Sequence, residues 1–197
     1  MIRSTEKSLG ELRSENASLR IQVATLRAEL SDAEVQMTNL INLCVASHRL
    51  HETFDRRELF DVIREIINNI VGSEELGIFE LDRERSALSL VYSMGIELER
   101  FQCITLGSGV IGHTALTGEL FIASDGARPP VPGNEPGLTA AIPLRFGSRI
   151  WGVIAIFGML PQKPALKDQD RELFALLEKQ AGLVLAISET HPDGNRS

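Results

Sequence analysis

Leu106-Gly107-Ser108-Gly109-Val110-Ile111-Gly112-His113-Thr114-Ala115-Leu116-Thr117-Gly118-Glu119 decides the fold. Gly107-Ser108-Gly109 reads as a loop. Val110 to Thr117 reads as a short helix stopped at Gly118, where a helix-ending glycine belongs. The flanking apolar runs are too short for helices, so the loop and its helix sit inside a strand-rich region.

Before the loop, Leu76 to Leu81 and Ala87 to Tyr92 are predicted strands around Asp82-Arg83-Glu84-Arg85-Ser86, a hairpin whose charges read as a solvated turn. Cys103 to Leu106 forms a further short strand. After the loop, Leu120 to Ala123 is another. Residues 125–137 hold four of the eight prolines and exclude a regular element. Leu138 to Arg145 and Ile150 to Phe157 then pair across Gly147-Ser148. A closing helix runs from Asp168 to Ser188, with Leu173, Leu176, Leu177, Gln180, Leu183, Val184 and Ile187 along one side. Upstream, Asp55 with Glu58 resembles a capping box. A helix from Arg56 to Val71 follows, with Leu59, Phe60, Ile63, Ile66, Ile67 and Ile70 on one face, and Gly72 ends it. The fold class is α+β: a mainly antiparallel sheet flanked by helices, which the pattern places on one face.

Residues 2–47 carry a heptad repeat. Leu9, Asn16, Val23, Leu30, Met37 and Cys44 fall at a; Leu12, Leu19, Leu26, Ala33, Leu40 and Ser47 fall at d. A helix with so narrow a seam needs a partner helix to cover it. Asn16 at a favours two parallel strands, and Glu15 at g faces Arg20 at e of a second copy, whereas Glu29 against Glu34 is a mismatch. The expectation is a parallel dimeric coiled coil over 1–39, a domain over 40–190 and a disordered tail over 191–197. The dimer seam comprises Leu9, Leu12, Asn16, Leu19, Val23, Leu26, Leu30, Ala33, Met37 and Leu40, and gives way to domain packing over about residues 37–51.

The domain resembles the GAF family over residues 40–190. Four stretches in order carry the likeness: the opening helices ending at Gly72; the glycine loop and helix quoted above; Thr139-Ala140-Ala141-Ile142-Pro143-Leu144 with Ile150-Trp151-Gly152-Val153-Ile154-Ala155; and Asp170 with Leu173, Leu177, Gln180 and Ala181. The resemblance implies a sensor and dimerisation module. Members of the family bind cyclic nucleotides, bilins, haem, iron or small metabolites, and many bind nothing known. A small molecule, if bound, is expected between the sheet and the short helix, lined by Phe79, Tyr92, Gly107, Gly109, Ile111, Thr114, Ser124 and Ala140. The N–H groups of Gly107 to Gly109 could meet an anionic group there, or the glycines could simply permit a tight turn.

The chain lacks the Asn-Lys pair that cyclic-nucleotide members share, which counts against that ligand. His113 stands alone and reads as a helix-surface residue; His48 and His51 at i, i+3 lack an evident third ligand, so no metal site is expected. Cys103 reads as a buried strand thiol outside any chromophore motif, and Cys44 as a seam residue. Some stand-alone family members reduce free methionine sulfoxide through several cysteines. This chain has two cysteines in all, so that activity is only a weak alternative. No catalytic residues and no cofactor are expected. A net charge of −7 without a basic face argues against nucleic acid. Without an apolar stretch long enough for a bilayer or a leader, membrane insertion is not expected and a cytoplasmic location is. The leading expectation is a non-enzymatic dimeric signalling or scaffold module acting on another signalling or assembly protein, with a ligand-occupied sensor as the alternative.

Overall fold

The computed structural model describes residues 2–52, 55–123, 133, 135–163, 165–166 and 168–190, without the side chains of 2–9, 11, 168–169 and 188–190. Met1–Asn42 and Leu43–Ser197 form separate compact units.

Helix α1 runs Ile2–His51. Within the first unit its seam residues are bare: Leu12, Leu19, Val23, Leu26, Leu30, Met37 and Leu40 are all exposed. Leu9 lies among the residues whose side chains are not described. Among the described residues of this unit there is no second helix to cover the apolar stripe.

In the second unit, Asp55 caps α2 (Arg56–Ile66) by accepting from the N–H groups of Arg57 and Glu58. Ile67–Val71 continue the helix with π-type hydrogen bonding and end at Gly72, whose φ of 80° is left-handed. The sheet follows: β1 (Glu75–Asp82), β2 (Ala87–Met94), a turn of helix α3 (Leu98–Phe101), β3 (Cys103–Thr105), α4 (Gly109–Thr117), β4 (Phe121–Ile122), β5 (Leu138–Phe146) and β6 (Arg149–Phe157). Helix α5 (Asp168–Thr190) closes the domain. The strand order is β3-β2-β1-β6-β5-β4, and every pairing is antiparallel.

The helices pack on both faces, not one. On the first face, α2, α5 and the end of α1 bury Leu59, Ile63, Phe174, Leu177, Ala46 and Leu50 against Leu76, Ile78, Ile142 and Ile154. On the second, α3 and α4 bury Phe101, Val110, Ile111 and Ala115 against Phe79, Val153, Ala155 and Phe157. Both sheet faces are therefore apolar, which explains why the central strands read as runs with weak alternation.

Three register shifts set which residue faces which layer. They lie between Ile78 and Phe79 in the β1–β2 pair, between Leu138 and Ala140, and between Leu144 and Arg145 in the β5–β6 pair. An extra residue on one strand reverses the facing of everything beyond it.

Lys163 ties the first face together. Its Nζ donates to Asp170 Oδ1 at 2.5 Å and to the Ile70 carbonyl at 3.2 Å, so one ammonium joins the π-helical end to the start of α5. Asp170 is 4% exposed.

Candidate functional site

The natural site lies where the glycine loop meets the sheet. Gly107 and Gly109 have φ of 81° and 62°, conformations that a Cβ would strain. Their loop turns the chain from β3 into α4. Gly112 is forced by packing, because a Cβ there would stand 2.5 Å from the Thr105 carbonyl oxygen.

Two of the loop's donors are taken by the backbone itself. Gly107 N–H donates to the Gly112 carbonyl at 2.8 Å, and Ser108 N–H to that of Thr105 at 2.9 Å. Ile111 N–H, one of the otherwise open donors in the first turn of α4, donates to Glu135 Oε1 at 3.2 Å. Glu135 thus places a carboxylate at the positive end of the helix. It also crowds the loop: a Cβ at Gly109 or Gly133 would collide with its carboxylate.

Beneath α4 the described side chains pack closely. Phe79 and Ile111 are wholly buried, Thr114 is 2% exposed, and the rings of Phe101 and Phe157 meet at 5.0 Å between centroids. Phe79 folds over Gly77, where a Cβ would stand 2.8 Å from its ring. What remains open is a surface groove of about 490 Å³ lined by Arg100, Cys103, Thr105, Ser108, Gly109 and Glu135 among others. A smaller hollow of about 200 Å³ shares Arg100 and Phe101 with it.

Of the residues expected to line a pocket, Phe79, Gly107, Gly109, Ile111 and Thr114 come together on the α4 side. Tyr92 and Ala140 pack on the opposite face, with α2 and α5. The register shifts are the reason. Leu88 and Leu90 face α4, but Val91 is the extra residue opposite β1, so Val91, Tyr92 and Met94 face α2. Thr139 is likewise extra between Leu138, which faces α4, and Ala140, which does not. Ser124 and most of the proline-rich segment lie outside the described residues. The sequence reading did not single out Glu135, Arg100, Phe101 or Phe157. Nothing local in the sequence marks Glu135, since its partner is on α4.

Cys103 is exposed, not buried, because β3 is an edge strand that, among the described residues, pairs with β2 alone. Cys44 is exposed as well. His48 Nδ1 lies 3.1 Å from Glu52, and His51 Nδ1 lies 2.7 Å from the Ser47 carbonyl, so each ring is engaged within α1. Among the described residues no group of three metal-ligating side chains converges. On the far face, Arg56 pairs with Glu80 and Arg145 with Glu178, and Arg149 lies over the Trp151 ring at 4.3 Å. Burial lowers the Arg56 pKa and raises that of Tyr92; for Tyr92, Arg64 opposes the rise and Asp61 adds to it.

A six-stranded antiparallel sheet, with a glycine loop and short helix on one face and long helices on the other, defines a domain of α+β class. The sequence pattern of the GAF domain matches residues 54–186, and the chain belongs to that family. Solved structures agree in fold. The GAF domain of a phosphoenolpyruvate-protein phosphotransferase from Coxiella burnetii is similar at a TM-score of 0.65 and 14% identity, covering 79% of this chain and 97% of that one. The corresponding domain from Acinetobacter gives 0.61 and 18%, covering 81% and 98%. A free methionine-R-sulfoxide reductase from Neisseria meningitidis gives 0.57 and 17%, covering 74% and 89%. A search of curated protein sequences found no match. No helix among the described residues is long and apolar enough to cross a membrane.

Proposed function

We propose that this chain is a non-enzymatic, dimeric signalling or scaffold module that regulates or assembles a partner protein in the cytoplasm. The observation that carries the reading is the close packing of the described side chains under α4. Where a ligand-binding member would hold a molecule, Phe79, Ile111, Phe101 and Phe157 close the interior, and Glu135 holds the donor at the helix start. A domain filled by its own side chains keeps its outer surfaces and its helix for binding. The exposed a and d residues of α1 supply a self-association seam. Turnover by thiols needs a second thiol within reach, and Cys103 and Cys44 stand on different elements, β3 and α1.

The groove beside Arg100 and Glu135 favours a second reading, a sensor that takes a small polar molecule at the surface instead of inside. Native mass spectrometry of protein purified gently from its own host separates the two. A bare dimer, or a dimer with another protein, supports the scaffold. Stoichiometric small-molecule mass overturns it in favour of the sensor. Replacing Leu19 and Leu26 with Lys should give monomers that lose the partner.

A further inference from the structure

The sequence pattern suggests that the coiled-coil seam gives way to domain packing over the last turns of α1. In the structure those turns pack on the domain through one face and leave the a and d face uncovered. The residues that enter the domain core are Leu43, Ala46 and Leu50. In the heptad frame Leu43 and Leu50 are g positions and Ala46 is a c position. The a and d residues of the same turns stay outside: Met37 is 65% exposed, Leu40 66% and the adjoining Ile41 53%, with Cys44 exposed too.

The g row records the change. It reads Glu15, Gln22, Glu29, Gln36 and then Leu43, Leu50. Polar residues flank the seam while the helix runs alone, and leucines replace them where the chain's own domain takes that flank. The seam itself, Met37, Leu40 and Cys44, is left uncovered in register with Leu30 and Ala33.

Resting on the dimer reading above, we propose that the two-chain seam continues without a break past Leu40 to the Cys44 layer, with a second copy of this chain, parallel and in register, as its occupant. The unbroken four-three spacing from Leu12 to Cys44 fits a second copy, and so does Asn16 at an a layer. Antiparallel pairing would set e against e, where Arg13, Arg20 and Arg27 stand with Glu34 as the one acid over the same stretch.

The Cys44 pair tests this. Helix axes about 8–10 Å apart, with Cα atoms about 2.3 Å from each axis, bring directly facing Cα atoms to about 3.4–5.4 Å, the upper part of which lies within disulfide reach. The full-length protein, its oligomeric state read by light scattering, is treated with diamide. Diamide takes two electrons and two protons from two thiols, forming one S–S bond and the hydrazine. Wild type and Cys103→Ser should give a covalent dimer on non-reducing gels, and Cys44→Ser should lose it. Val45→Cys in the Cys44→Ser background, exposed but off the seam, should not restore it. A dimer in solution that forms no Cys44 link, or links equally through position 45, overturns the continued seam and leaves the dimer standing. A monomer in solution overturns both.

Discussion

The carboxylate of Glu135 accepts the backbone N–H of Ile111 at 3.2 Å, joining the end of the proline-rich segment to the first turn of α4. An acceptor at a helix start contributes on the order of 1 kcal/mol. Glu135→Ala should therefore lower the urea unfolding free energy by about 1 kcal/mol and speed amide exchange in α4. Glu135→Gln keeps an acceptor without the charge and should lose less. Equal losses from both variants would mean that the charge, not the hydrogen bond, is what counts.

Phe79 is fully buried beneath α4. Phe79→Ala should cost about 3–5 kcal/mol and leave an apolar void. Stability should be partly recovered by a small aromatic such as benzene, followed by thermal unfolding. Absence of any recovery would show that the layer collapses into the space.

Asp170 is buried and takes the Lys163 ammonium at 2.5 Å. Asp170→Asn should lower stability by roughly 2 kcal/mol, since the ammonium keeps a carbonyl partner but loses its counter-charge. Asp170→Ala should cost more, and Lys163→Met combined with Asp170→Leu should recover part of the loss. Chemical unfolding of the four proteins gives the comparison.

Tyr92 is the only tyrosine, so its ionisation can be followed by absorbance. Burial raises its pKa above the ordinary 10.0, which means the unfolded chain loses the phenolic proton first. Its contribution to stability is therefore complete below pH 10.0 and declines as the pH climbs from there through the raised folded value. Tyr92→Phe should flatten that part of the alkaline stability profile. An unchanged profile would assign the decline to other groups.

Much of the fold could be read from the chain. Apolar spacing located α2, the two hairpins and α5, and the oxygen of Asp55 and the freedom of Gly72 mark the ends the sequence assigned them. The π-type end of α2 was not legible, because Ile67 to Val71 have the composition of ordinary helix. The single turn at Leu98–Phe101 is shorter than any period. The second helical face escaped notice because α4 carries little polar-apolar contrast of its own. Long-range contacts carried the rest. Phe157 meets Phe101 across the chain, and Cys103 is exposed because β3 is an edge strand of the sheet the described residues form.

The extra residues Val91 and Thr139 also bear on how roles are transferred between members of such a family. Aligning two sequences column by column without a gap assumes that neighbouring strands stay in phase. Here a single residue shifts the phase in each of two strands. Losing either one would hand Tyr92 or Ala140 to the other layer while leaving the alignment almost unblemished. One-residue insertions and deletions in these strands are thus a cheap way for relatives to exchange which side chains face a ligand. Residue roles should be carried between them by ladder partner, not by position in the chain.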